Sequence, residues 1–146
     1  VSRRFDIHAK SDRLIYIDDY AHHPREIEAS LSSIREMWPA KRLTVAFQPH
    51  LYSRTNDFYP EFAKSLNLAD QVILLDIYPA REQPIPGVTS KLIADRLTVP
   101  FVRVTKEEFP EYVKENVKEG IFMTVGAGDI DRFIPVFTEM FNHPDC

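Results

Sequence analysis

Cysteine is nearly missing from this chain. The one residue of that type, Cys146, stands at the last of 146 positions, so no internal disulfide can form. A metal site built on several thiolates is likewise excluded, and this usage fits a reducing cytoplasm, the expected location. Glycine is also scarce, with four residues. None belongs to a G-x-x-x-x-G-K-[ST] loop, so these residues alone are not expected to cradle ATP phosphates in the P-loop manner. A G-x-S-x-G nucleophile elbow is missing too. No apolar run approaches the ~18–20 residues that span a bilayer, so a membrane is not an expected partner. The opening stretch VSRRFDIHAK has no apolar core of a secretory signal. An excess of basic charge is lacking as well: 18 Lys and Arg face 22 Asp and Glu, a net charge of −4. Nucleic acid is therefore not expected as the main partner, although a local basic cluster can still hold a small anion. The chain opens on Val rather than Met and inside a strand-like stretch, and is expected to be part of a longer protein.

Apolar residues make up 44% of the chain. Its length suits one domain, which buries roughly 70% of its unfolded surface. Short apolar runs alternate with amphipathic stretches. Strands are predicted at Leu14–Asp18, Leu43–Phe47, Gln71–Asp76, Phe101–Val104 and Ile121–Val125. Helices are predicted at Pro24–Trp38, Asn56–Leu66, Ser90–Leu97, Lys106–Val117 and Asp129–Phe141. In the first, Ile27, Leu31 and Ile34 share a face; in the last, Phe133, Val136, Phe137 and Met140 do. The alternation predicts a Rossmann-like three-layer α/β domain with a mostly parallel sheet and helices on both faces. Residues 1–12 do not fit it and are expected to be a strand and linker left from a preceding domain, with the domain proper running from 13 to 146.

Open sheets of this kind bind ligands beyond the carboxyl ends of their strands. Four polar segments fall there: DDYAHHP (18–24), QPHLYSRT (48–55), IYPAREQPIPGVTS (77–90) and GAGD (126–129). In the first, Asp and His could ligate a metal, but His22 and His23 are adjacent and point apart in an extended segment. Asp18 or Asp19 can instead end the strand and hold loop amides. Tyr20 can stack on a purine or cover the sheet edge. A neutral His22 can accept a proton, and His23 can simply steady the loop before Pro24. In the second, Arg54 suits a carboxylate or phosphate, or pairs on the surface with Asp57 or Glu61. The third is a loop stiffened by proline. The fourth is a glycine turn into a helix whose N-terminus favours an anion, unless Asp129 caps it.

Together IDDYAHHPREIEASL, FQPHLYSRT, YPAREQPIPG and GAGDI resemble the C-terminal domain of the Mur ligase family, over nearly the whole chain. FQPHLYSRT is more similar to the alanine-adding branch than to the murein tripeptide recycling branch. The resemblance implies an ATP-dependent amide ligase of peptidoglycan synthesis. ATP, with magnesium, would phosphorylate the carboxylate of UDP-N-acetylmuramate, and the amine of L-alanine would then attack the acyl phosphate. The P-loop would belong to a central ATPase domain, and the UDP-sugar to an N-terminal domain, of the same protein; this domain alone would be inactive. The resemblance places Tyr20 and Asp19 at the nucleotide, and His22, His50, Arg54, Gly126, Ala127 and Gly128 at the substrates. His22 and Arg54 would be catalytic, and no metal ligand is implied. Family members often carry Arg after the His of FQPH, where this chain has Leu51; the anion-binding role of that Arg would fall to another group such as Arg81. Three other readings stay open: a stand-alone metabolite-binding module, the equivalent domain of another Mur ligase such as the murein tripeptide recycling ligase, and a metal hydrolase built on Asp18, Asp19, His22 and His23.

Overall fold

The computed structural model describes residues 5–143, and in it the apolar runs become one six-stranded sheet. In chain order the strands are β1 (Asp6–Lys10), β2 (Leu14–Asp19), β3 (Leu43–Phe47), β4 (Gln71–Leu74), β5 (Phe101–Arg103) and β6 (Gly120–Val125). The helices are α1 (Pro24–Met37), α2 (Tyr52–Leu66), α3 (Lys91–Ala94), α4 (Phe109–Asn116) and α5 (Ile134–Asn142), with a 3-10 turn at Asp129–Phe133 before α5. The strand order is β1-β2-β6-β3-β4-β5, antiparallel at the β1–β2 pair and parallel elsewhere.

Burial on both faces explains why β2, β3 and β6 read as continuous apolar runs rather than alternating ones. Ile15 and Ile17 of β2 pack towards α1, α2 and α3, and Leu14 and Tyr16 towards α4 and α5. The first face is largely aliphatic, with Ile27, Leu31 and Ile34 of α1 fully buried. The second is aromatic. Phe137 lies edge-on to Phe109 and Phe122 at centroid distances of 5.0 and 5.3 Å, a favoured arrangement of ring quadrupoles.

Several boundaries differ from expectation, each for a local reason. Residues 6–10 are not a detached tail: they pair antiparallel with β2 and form an edge of this sheet. Helix α2 begins at Tyr52, four residues early, because the Leu51 carbonyl already accepts from Thr55 N–H at 3.2 Å and from its hydroxyl at 2.9 Å. The stretch from Lys106 stays a turn until Phe109, closed by reciprocal bonds between Thr105 and Glu108. The last predicted helix is split, with Pro135 in the first turn of α5. Val136, expected on its apolar face, is 44% exposed, and Phe141 packs against the core instead. Helix α3 is only one turn, and β4 and β5 stop two and one residues short.

The placement of β6 between β2 and β3 positions the site. It brings the loop after β6 between the loops that follow β2 and β3, all on the carboxyl edge. Among the described residues, no helix is long and apolar enough to cross a membrane.

Candidate functional site

The end of β2 is fixed by its two aspartates. Asp18 is fully buried and accepts from the Thr124 hydroxyl at 2.7 Å; that hydroxyl also bonds Tyr16 Oη at 2.9 Å. Asp19 accepts from Ala21 N–H at 2.9 Å and from the Ser30 hydroxyl. With no exposed surface and both oxygens engaged, Asp19 ties the loop to α1. His23 caps α1, its Nδ1 accepting from Arg25 N–H while Glu26 accepts from the backbone of His22 and His23. This reciprocal cap fixes how the chain enters the helix.

Those bonds leave His22 half-exposed on a rigid loop. Its Nδ1 lies 3.3 Å from the Tyr20 carbonyl, which can only accept. Neutral His22 therefore carries its proton on Nδ1 and a lone pair on Nε2. The Tyr20 ring stands edge-on to it at 5.5 Å. On the other side, at a centroid distance of 6.2 Å, is His50.

His50 stacks on Tyr78 at 5.7 Å and 13° and receives Arg54 Nη1 on Nδ1 at 3.3 Å. Its proton then sits on Nε2, the opposite tautomer to His22. Burial, then the charges of Arg54 and His22, hold His50 below the ordinary imidazole range against the pull of Glu82. Arg54 makes no ion pair with Asp57 or Glu61 among the described residues, so the surface pairing open to it in sequence is not formed. It stands on the first turn of α2, whose start is fastened by Glu82: that carboxylate accepts from the N–H and hydroxyl of Ser53, and the same bonds keep it below the usual carboxylate range. Leu51, just before the helix, has φ of 75°, costly for a branched residue, and is held by Leu51 N–H to the Tyr78 carbonyl at 2.8 Å. Arg81 is exposed and forms no hydrogen bond or ion pair among the described residues.

The glycine loop is held largely by its own neighbours. Gly126 donates its N–H to the Asp19 carbonyl at 3.2 Å, and Gly126 and Gly128 are both buried. Of the three, only Ala127 reaches partway to the surface. A Cβ on Gly128 would sit 2.7 Å from Tyr78 Cγ and collide with Gln48 Oε1. The expected anion seat is filled from within: Gln48 Oε1 accepts Ile130 N–H at 3.0 Å, and Gln48 Nε2 donates to Asp129 at 2.7 Å. Asp129 does not cap the turn; Gly128 holds that position and no side chain bonds there. Burial works to raise the Asp129 carboxyl, but Lys106, Gln48 and Arg132 together hold it low.

The carboxyl edge thus gathers His22, His50, Arg54 and Tyr20, while Asp19, Gly126 and Gly128 act as framework. Sequence reasoning misses Gln48 and Tyr78, which it treats only as parts of their loops. A glutamine directly after the short, largely apolar run Leu43–Phe47 is the one available signal, since a buried amide there needs partners. Among the described residues, no three His, Cys, Asp or Glu side chains stand close enough to hold a metal ion.

Fold and site together define a Rossmann-like α/β domain with its ligand edge on the loops after β2, β3, β4 and β6. Residues 3–129 match the family described as Mur ligase, glutamate ligase domain, and the chain belongs to that family. It is similar to UDP-N-acetylmuramate–L-alanine ligases. That of Phocaeicola vulgatus is 51% identical over 144 residues, covering 97% of this chain and 31% of that protein. That of Flavobacterium johnsoniae is 47% identical over 143 residues, covering 97% and 32%. The crystal structure of the UDP-N-acetylmuramate-alanine ligase of Thermotoga maritima superposes with a TM-score of 0.75 at 30% identity, covering 98% of this chain and 30% of that one. The chain therefore spans about a third of the length of the curated relatives it matches.

Proposed function

We propose that this chain is the amino-acid-binding domain of an ATP-dependent ligase that joins L-alanine to UDP-N-acetylmuramate in peptidoglycan synthesis. The observation that carries this is 51% identity to an alanine-adding ligase over 97% of the chain, a span that takes in all four loops. The phosphate site and the UDP-sugar site fall to the central and N-terminal domains of the same protein, which acts in the cytoplasm. The domain assigned here includes β1 as well as residues 13–146.

The opposite tautomers of the two histidines suit a zwitterionic amino acid. His22 Nε2 accepts from the ammonium of L-alanine, and His50 Nε2–H and Arg54 donate to its carboxylate or to the forming phosphate. An ammonium cannot attack an acyl phosphate, so one proton must leave first. His22 takes it, or the ammonium loses it to water before the domains close. Arg54 then stabilises the charge that develops on oxygen once water is excluded. Tyr20 offers a ring to the nucleotide base. ATP supplies the phosphoryl group, and magnesium would support its transfer at the central domain.

Two measurements test the reading. The isolated chain forms no amide from ATP, UDP-N-acetylmuramate and L-alanine; detectable product would overturn the division of labour. In the full-length enzyme, His22→Ala lowers the alanine-dependent step by about a hundredfold, the low end for a lost proton acceptor. Acyl-phosphate formation stays near the parent rate. An equal fall in both steps with unchanged alanine affinity would remove His22 from this role.

A further inference from the structure

The amino edge of the sheet, opposite the loops described above, carries a second set of unabsorbed groups. Two adjoining recesses of about 550 Å³ each open there and share Arg13, Val117 and Lys118. One is floored by Leu14, Val117, Met140 and Phe141 and rimmed by Lys114; the other is walled by Arg42, Thr44, Gln71 and Asn116. Volumes of this size match small-molecule sites. We propose that this bay binds a small organic phosphate, its phosphate between the two arginines and Lys118 and its apolar body over Val117, Met140 and Phe141.

The backbone builds the cationic end. Gly120 N–H donates to the Arg13 carbonyl and Ile121 N–H to the Arg42 carbonyl, both at 2.7 Å. The first residues of β6 are thereby clasped between two arginines, each standing just ahead of a neighbouring strand. Gly120 permits this approach. Its φ is 87°, and a Cβ there would collide with the Arg42 carbonyl oxygen. The Arg42 guanidinium is steadied by Gln71 Oε1 at 3.2 Å, and Gln71 in turn donates to Tyr112 Oη at 3.2 Å. Lys118 donates to the Lys114 carbonyl at 2.7 Å, which holds it over the end of α4.

The charge is unbalanced. Arg13, Arg42, Lys114 and Lys118 form no ion pair among the described residues. Against these four cations the lining holds two carboxylates, Glu119 and Glu139, and Glu139 leans towards His143 at 3.8 Å; Asp70, whose carboxylate also feels the charge of Arg42, is paired with Arg35 at 2.9 Å. A local positive excess on a chain of net charge −4 is a departure from its mean surface. Two guanidiniums with an ammonium suit a phosphate's several oxygens, which one carboxylate would leave partly unmatched. The apolar floor calls for a body attached to that phosphate.

The site lies on the far edge from the ligase residues, so its test is independent of the proposed function. The chain is titrated with naphthyl phosphate, inorganic phosphate and naphthol, followed by amide chemical shifts. Naphthyl phosphate is expected to bind about tenfold more tightly than either fragment and to shift residues 13, 42 and 117–120. Arg13→Gln and Lys118→Gln, both at surface positions, should each weaken it about tenfold, with unchanged shift dispersion confirming the fold; if one variant loses dispersion, the other decides. Arg25→Gln, at an exposed position near the opposite edge, should leave binding unchanged. No shifts at the amino edge, affinities equal for the three probes, or binding indifferent to both substitutions would overturn the proposal. Sedimentation with phosphatidylglycerol vesicles and no response to naphthyl phosphate would overturn it in favour of a lipid surface.

Discussion

At the carboxyl edge Asp18, Asp19, Gln48 and Glu82 each bond a group on another element, whereas at the amino edge Arg13, Arg42, Lys114 and Lys118 form no ion pair among the described residues. The same strands supply both edges. On one side the polar groups are used against each other to freeze four loops, and a few side chains (His22, His50, Arg54) gather at the proposed ligand site. On the other the backbone is frozen and the charges are left over. Preorganised neutral and anionic framework suits chemistry that needs atoms placed to fractions of an ångström. Unpaired cations around a recess suit binding.

Both edges rest on a glycine, and this gives the largest expected effects. Gly120→Ala should cost about 3 kcal/mol, combining a left-handed backbone with overpacking against the Arg42 carbonyl. Gly128→Ala should cost about 2 kcal/mol, since it meets the Gln48 and Tyr78 side chains, which can yield more than backbone. Urea unfolding midpoints measure both. A loss under about 0.5 kcal/mol for Gly120→Ala would show that the arginine clasp is soft, as ordinary surface substitutions are.

The next contrast is between the polar groups themselves. Thr124→Val removes the hydroxyl that bridges Tyr16 and Asp18 in the core. It should cost about 2 kcal/mol, because buried polar atoms lose a partner without gaining water. Lys118→Gln at the amino edge should stay within about 0.5 kcal/mol of the parent. Equal losses in the two would erase the distinction between a framework edge and a binding edge.

A pH series sharpens the same point at His50. Its folded pKa lies below the ordinary value of 6.5, so the unfolded chain binds the proton more readily. The stability it contributes is complete above about pH 6.5 and is lost as pH falls through the folded value. Asp70, Glu82 and Asp129 are shifted below their own ordinary values near 4 and act only in more acidic solution. Between pH 7.5 and 5.5 the parent should therefore lose stability more steeply than His50→Gln. Parallel slopes would mean that Arg54 and Tyr78 do not hold the ring as described.

Much of this architecture is legible in the linear chain. Leu43–Phe47 and the α1 face of Ile27, Leu31 and Ile34 are local patterns, and the structure repeats them. The four loops share an edge because strand ends in a parallel sheet must, so the neighbourhood of His22, His50 and Arg54 followed from topology alone. What stays hidden is pairing across long sequence distances. Thr124 meets Asp18 over 106 residues, and Gln48 meets Ile130 over 82. No spacing rule shows that Gly126 gives its N–H to Asp19, or that residues 6–10 complete this sheet. The amino-edge recess is hidden for the same reason: Arg13, Arg42 and Lys118 are isolated charges until β6 slides between β2 and β3.

The smallest effect concerns the exposed rim of the carboxyl edge. Lys106 Nζ lies 2.8 Å from Asp129 and is itself 44% exposed. Asp129 also accepts from Gln48 Nε2, a bond sheltered beneath the loop. If the internal amide fixes the glycine loop, Lys106→Ala should cost only about 0.5 kcal/mol, the usual worth of a surface ion pair. That difference should shrink further in ~1 M salt, where screening acts within about 3 Å. A loss near 2 kcal/mol that persists in high salt would instead make Lys106 part of the framework. Gln48→Ala decides between the two: with the amide removed, Ile130 N–H loses its acceptor and Asp129 keeps only its cations. The loop should then loosen far more than after Lys106→Ala, because a desolvated donor cannot be rescued by a charge at the surface.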